Sequence, residues 1–170
     1  MPELPEVETT KNAILPFKGK TLKRIIVNNP SLRWPVDEKL INKIKDVKVL
    51  SISRRAKYIF LNLDEMTIII HLGMTGTFRI QKLGSNETRK HDHVVLEFSK
   101  EILIFNDPRR FGSLHVSNDL QNHFLIKDLG PEPLEDDFNS EYLYKKIKKA
   151  GVSTTVSYTH LRAHETHTNL

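Results

Sequence analysis

A proline directly follows the initiator methionine in Met1-Pro2-Glu3-Leu4-Pro5-Glu6. Removal of the methionine would leave a secondary amine at the chain terminus. Such an amine can attack an electrophilic sugar carbon and collapse to an iminium ion, as a Schiff-base lysine does. An α-amine titrates near ~7.7–8, far below a lysine side chain, so a useful fraction is unprotonated at neutral pH. Glu3 and Glu6 stand three positions apart, a spacing that shares one side of a helical turn, and a carboxyl beside the amine can supply a proton to the opening sugar. Each feature has a plainer reading. Proline is tolerated at a terminus because its missing N–H costs nothing there, and acids are common in the first turn of a helix. Taken alone, the N-terminus favours the plainer reading.

Two loop sequences alter the balance. His71-Leu72-Gly73-Met74-Thr75-Gly76 ends an apolar run with a methionine bracketed by glycines, which suggests an exposed tip in place of the usual core methionine. Asn106-Asp107-Pro108-Arg109-Arg110-Phe111-Gly112 ends another run with two guanidiniums and an aromatic ring. A protein that removes a base from a duplex must extrude the nucleotide and fill the void. Methionine and phenylalanine can serve as apolar wedges, and arginine can hydrogen-bond an orphaned base edge. Arg110 could bind a phosphate, or it could pair with Asp107. Packing accounts for any one of these features, but not readily for both loops together with the terminal proline.

These residues need a scaffold, and the pattern between them is β-rich. Pro5 and the acids around it open a helix through Leu15, which Pro16 and Gly19 end. Strand-sized runs follow at Leu22 to Val27, Val47 to Ser53, Tyr58 to Leu63, Thr67 to Leu72, Phe78 to Gln81, His93 to Phe98, Ile102 to Asn106 and Ser113 to Val116. Asp37 to Ile44 reads as a short helix, and Asp119 can cap another over Leu120 to Leu125. Short polar connections at Asp64-Glu65 and Ser99-Lys100 indicate antiparallel hairpins, and no long crossover helix separates the strands. The fold class expected is mainly β with flanking helices, a two-layer antiparallel β-sandwich. Gly130-Pro131-Glu132-Pro133 marks a boundary. The expected organisation is a β-sandwich catalytic domain at 1–130, then a linker and one helix at 131–150 that Asn139 caps and Phe138 staples to Leu143, then a tail at 151–170 without periodicity.

The chain of 170 residues has 28% charged and 38% hydrophobic residues and a formal charge of +5. Basic residues gather at 18–24, 39–48, 54–57, 79–93 and 145–149, a placement that can neutralise phosphates. The apolar runs are too short to cross a membrane, and the start lacks the basic-then-apolar pattern of a secretory leader. With no cysteine, the chain can form neither a disulfide nor a thiolate metal site. His160, His164 and His167 with Glu165 have spacings that could suggest a metal cluster. No helix or hairpin pattern would hold such a geometry, so no metal is assigned. The string from Val156 to Thr166 resembles translated sequencing-adaptor DNA.

The strings MPELPEVET at the start, RRAKY at 54–58, HLGMTG at 71–76, KHDHV at 90–94, NDPRRFG at 106–112 and LGPEPL at 129–134 occur in order. Over about residues 1–149 the chain resembles the bacterial formamidopyrimidine-DNA glycosylases. That resemblance implies base-excision repair of oxidised purines, 8-oxoguanine and formamidopyrimidines, by a bifunctional glycosylase and abasic-site lyase that works through an N-terminal proline Schiff base with β- and δ-elimination. It implies Pro2 as the nucleophile, Glu3 as the acid for the deoxyribose ring oxygen, Glu6 as a support of the pocket and Lys57 as a contact near the lesion. His71, His93 and Arg110 match DNA-binding positions, and Met74, Arg109 and Phe111 match the trio inserted into the duplex. The partner implied is damaged double-stranded DNA, met by a monomer in a bacterial cytoplasm at the nucleoid.

The chain also departs from the family pattern. Relatives continue through a helix-two-turn-helix domain and a four-cysteine zinc finger, so a full-length relative binds one structural zinc, whereas no cofactor is expected in this chain. With one wall of the DNA cleft, base excision from an intact duplex should be weak, because misplacement by roughly 1 Å can cost about a hundredfold in rate. Reaction at a pre-formed abasic aldehyde should survive better. The competing readings are a non-catalytic DNA-binding β-domain, a mostly non-functional and marginally stable gene fragment, and a relative that prefers oxidised pyrimidines.

Overall fold

Apolar residues at every second position, as at Val94, Leu96 and Phe98, give such strands one face for a shared core, while Tyr58 to Leu61 and Ile68 to Ile70 are continuous apolar runs buried on both faces. The structure, a computed structural model, describes residues 2–85, 87–132 and 135–150. Helix α1 (Leu4–Ile14) leads through a short 3-10 turn, Leu15–Phe17, into β1 (Thr21–Val27). There follow α2 (Glu38–Ile41), β2 (Val47–Lys48), β3 (Ser51–Arg55), β4 (Tyr58–Asn62), β5 (Thr67–His71), β6 (Thr77–Lys82), β7 (Asp92–Phe98), β8 (Glu101–Asn106), β9 (Ser113–Ser117) and α3 (Ser140–Ala150). The strands form two sheets, ordered β2-β1-β7-β8-β6 and β3-β4-β5-β9, with antiparallel pairing throughout. The expected two-layer sandwich is therefore the observed one.

The core lies between these layers. Ile52, Ile59, Leu61, Ile68, Ile70 and Leu114 from the four-stranded sheet join Leu22, Val94, Leu96, Phe98, Leu103 and Phe105 from the five-stranded one. Each such side chain contributes about 1.5–3 kcal/mol when it leaves water. Helix α1 adds Val7 and Ile14, seven residues apart on one stripe, and Phe17 stacks on Phe98 with ring centroids 4.6 Å apart.

Two expected elements differ in the structure. The run Val47 to Ser53 is not one strand. Val49 donates its N–H to Lys20 and Leu50 donates to Asn62, so the chain leaves one sheet and enters the other at that point. The helix expected over Leu120 to Leu125 is a series of turns. The Ser117 hydroxyl holds the Asp119 amide in a local turn, and further on the N–H groups of Ile126 and Lys127 both turn back to His123 O.

Contacts divide the chain into two units, Met1–Leu120 and a second that begins at Gln121. In the second, the Asn139 side chain accepts the Tyr142 N–H at 3.0 Å and caps α3. Among the described residues no helix is long and apolar enough to cross a membrane.

Candidate active site

The strand registers bring the chemically capable residues of the first unit to one end of the sandwich. Arg55 pairs with Tyr58, Tyr58 with His71 and His71 with Ser113, while Thr77 and Asp92 both pair with Asn106. The β3–β4 turn and the loops 72–76 and 107–112 all leave from that end. Each of those two loops crosses from one sheet to the other.

The first group of residues surrounds the start of α1. Glu3 occupies the N-cap position, and Glu6 one turn later reaches back so that Oε2 accepts the Glu3 N–H at 3.0 Å. Glu6 thereby fixes the peptide that follows Pro2. Lys57 is buried, and its Nζ lies 3.3 Å from Glu3 Oε2. The two-residue turn Ala56–Lys57 delivers it there. Ala56 has φ 49°, a left-handed conformation costing an L-residue about 1–2 kcal/mol. Arg54 holds this turn to the helix: Nη1 donates to Ala56 O and Nε to Glu8 Oε2, both at 2.8 Å. Lys11 and Arg54 together keep the Glu8 carboxyl below its ordinary range. Glu6 and Lys57 thus both reach Glu3, and the neighbouring Pro2 is half-buried.

The second group is the pair of loops. Gly73 (φ 64°) has a conformation that favours glycine, and a Cβ there would lie 2.3 Å from the Gly112 nitrogen. A Cβ on Gly112 would lie 2.9 Å from His71 O and from Asp107 Oδ2. The two glycines therefore let the loop backbones touch. Asp107 is fully buried beneath them. Its carboxylate accepts from the Thr75 hydroxyl and, at 2.7 Å, from the Gly112 N–H. With that carboxylate so engaged, Arg110 does not take it as an ion-pair partner. Instead Arg110 (φ 58°) donates its backbone N–H to Asp107 O, and its side chain is exposed. Arg109 is exposed with its guanidinium 4.9 Å from the Phe111 ring centroid, Phe111 is 39% exposed, and Met74 is half-buried. A cation and an aromatic ring thus stand together at the surface, with Met74 on the facing loop.

Both histidines are buried beside this group. His71 Nδ1 accepts the Gly73 N–H at 3.0 Å, which leaves the proton on Nε2. Burial, with Arg33 and Lys57 nearby, pushes the His71 pKa down to about 4, so the ring is neutral at physiological pH. His93 is the extra residue of a β-bulge, where the β7–β8 register shifts between Asp92 and Val94. The bulge aims its Nε2 at Asp107 O, 2.8 Å away. Sequence reasoning did not single out Arg33, Thr75 or Tyr58. The Arg33 N–H donates to Gly112 O at 3.1 Å, its guanidinium lies 4.5 Å from the Trp34 ring centroid, and burial lowers its pKa. Tyr58 packs against His71 with ring centroids 5.1 Å apart. Tyr58 and Thr75 lie inside the strings RRAKY and HLGMTG, whereas Arg33 lies in none of the motif strings.

The family model for the formamidopyrimidine-DNA glycosylase N-terminal domain matches residues 1–114, which hold both groups. The chain belongs to this family. It is 48% identical over 162 residues to a formamidopyrimidine-DNA glycosylase of Hydrogenovibrio crunogenus, covering 92% of this chain and 57% of that protein. To the one from Shigella dysenteriae it is 50% identical over 151 residues, covering 88% and 55%. Among solved structures it is similar to the Lactococcus lactis formamidopyrimidine-DNA glycosylase bound non-covalently to DNA with an abasic site, at 31% identity and a TM-score of 0.77, covering 87% of this chain and 58% of that one. It is likewise similar to the L. lactis protein in complex with DNA containing an oxidised pyrimidine, at 32% identity and a TM-score of 0.76, covering 87% and 57%. The chain thus spans little more than half the length of these family members.

The structural zinc implied for full-length relatives finds no fit among the described residues. There is no cysteine in the sequence, and among the described residues no three His, Cys, Asp or Glu side chains cluster as metal ligands. His160, His164, His167 and Glu165 lie outside the described residues.

Proposed function

We propose that this chain carries the catalytic wall of a base-excision enzyme, a bifunctional DNA glycosylase and abasic-site lyase acting on oxidised purines in double-stranded DNA. The observation that carries this reading is the convergence of Glu6 and Lys57 on Glu3, the residue after Pro2, at the same end of the sandwich as the Met74, Arg109 and Phe111 loops.

In this reading the Pro2 nitrogen, freed by loss of Met1, donates its lone pair to C1′ of the extruded nucleotide as the bond to the base breaks, and the proton the amine gives up goes to the departing base. Glu3 passes a proton to the ring oxygen as its bond to C1′ opens, which leaves an iminium ion between Pro2 and the sugar. Loss of the C2′ proton expels the 3′ phosphate, and a second elimination expels the 5′ phosphate. Glu6 holds the Glu3 amide and so the direction of the nucleophile. Lys57 presents a buried cation beside Glu3, and Arg110 with the two histidines borders the path of the backbone. Met74 and Phe111 occupy the space left by the extruded nucleotide while Arg109 meets the orphaned base. The domain division proposed is 1–130 for this catalytic part and 131–150 for a linker and helix. The site of action is the DNA of a bacterial cytoplasm, and the protein acts as a monomer.

An oxidised pyrimidine is the second substrate to test, because the similar L. lactis protein was solved with DNA containing one. Borohydride trapping on duplexes with an abasic site, 8-oxoguanine or an oxidised pyrimidine tests the proposal, using protein whose loss of Met1 is verified by mass. The abasic duplex, which bypasses extrusion, should give the most adduct. A chain with an uncleaved N-terminal extension, whose Pro2 nitrogen is an amide, should lose at least about 100-fold of it. Folded, processed protein that forms no adduct, or an adduct indifferent to the extension, would overturn the mechanism.

A further inference from the structure

One side chain joins the two loops in a way that the proposed chemistry does not use. The Thr75 hydroxyl donates to the buried Asp107 carboxylate and at the same time accepts the Arg109 N–H at 3.2 Å. It therefore bridges the loop that carries Met74 to both ends of the Pro108-Arg109 segment. On the other side of Met74, Gly73 meets the Phe111–Gly112 backbone at a distance that excludes even a methyl group. Asp107 closes the circuit. Its second carboxylate oxygen holds the Gly112 N–H, and its carbonyl takes both the Arg110 N–H and His93 Nε2.

Met74 is thus flanked by two residues that are each fastened to the opposite loop, and Arg109 and Phe111 lie between the fastenings. We infer that Thr75 is a positioning residue: through Asp107 it yokes the two loops into one wedge, so that Met74, Arg109 and Phe111 enter the base stack as a rigid unit. The inference rests on the proposed reading of these loops as the parts that enter the duplex. A hydroxyl suits this position because it donates and accepts at once. Serine retains both functions, whereas valine keeps the shape and loses both. A wedge must keep its form while it separates stacked bases, and three side chains on independently moving loops would yield in turn.

The test compares wild type, Thr75→Ser and Thr75→Val. Amide hydrogen exchange reads the yoke without DNA. In Thr75→Val the Gly112 amide, which does not touch Thr75, should exchange about tenfold faster, while Ile69 and Ile104 in the strands keep their protection and Thr75→Ser matches wild type. Unchanged exchange at Gly112 overturns the yoke. Insertion is read with 2-aminopurine placed opposite a single abasic site in a duplex. Thr75→Val should need about tenfold more protein for the same fluorescence change, with binding to a single-stranded abasic oligonucleotide unaltered, since no stack has to be opened there. Equal losses on duplex and single strand, or no rescue by serine, overturn the positioning role. If wild type itself gives no signal on the duplex, the insertion reading fails and the positioning role with it, while Gly112 exchange still decides whether the loops are yoked.

Discussion

The start of α1 and the paired loops share one end of the sandwich, and they are held very differently. Around Pro2, among the described residues, Glu3 is held by the Glu6 carboxylate on its N–H, by the first helical bond from Val7 to its carbonyl, and by a buried Lys57 that meets its 55% exposed side chain. At the loops a fully buried carboxylate, two close-approach glycines and a bulged histidine lock the backbone from below. Under the proposed function the contrast has a physical cause. An attacking amine has to follow a carbon that arrives only with the extruded nucleotide. A wedge has to resist the base stack it opens, so its rigidity is built in beforehand.

Substitutions at the two places should therefore differ in kind. Asp107→Ala strands the Thr75 hydroxyl and the Gly112 amide in a buried setting and should cost roughly 2–4 kcal/mol in denaturant unfolding. By contrast, Glu6→Gln keeps an acceptor for the Glu3 amide and should stay within about 0.5 kcal/mol. Comparable costs at both sites would dissolve the contrast.

Acid sharpens it next, through His71. Its folded pKa of about 4 lies below the ordinary 6.5, so between those values the unfolded chain binds a proton that the folded protein excludes. Stability from this group is complete above about pH 6.5 and falls as pH drops towards 4, by roughly 3 kcal/mol at most. The lowered carboxyls of Glu8 and Asp92 contribute stability that is lost only at lower pH, below their ordinary values of 4.5 and 3.8. His71→Asn, which keeps an acceptor for the Gly73 amide, should flatten most of the loss between pH 6.5 and 4.5 in urea titrations. A curve as steep as wild type would place the acid sensitivity elsewhere.

A small effect of opposite sign is expected at Ala56, on the hairpin that carries Lys57. Ala56→Gly relieves a left-handed alanine but adds unfolded-state entropy, for a net gain of about 0.5 kcal/mol. Thermal unfolding should show a slight rise, and a fall would mean that the turn is not strained.

Much of this was legible in the chain. Strand positions were readable because a half-buried strand must alternate, and Val94, Leu96 and Phe98 do so. The change of sheet between β2 and β3 was not readable, because alternation says which face is buried and not which sheet a strand joins. The motifs pointed to Pro2, Glu3, Met74, Arg109 and Phe111 through their side-chain chemistry. They did not separate an exposed Arg110 from a buried His93, nor single out Thr75, because those depend on registers and a bulge.

Local pattern by itself pointed to an antiparallel β-sandwich, and the short motifs carried the resemblance to the formamidopyrimidine-DNA glycosylases, since periodicity, turn residues and motifs are properties of neighbours in sequence. Only the tertiary structure decided that Lys57 meets Glu3 across 54 positions, that Thr75 and Asp107 join two loops, and that His71 is neutral. Hydrogen bonds and desolvation act over a few ångströms of space, and the distances that matter here exist only once the two sheets have closed on each other.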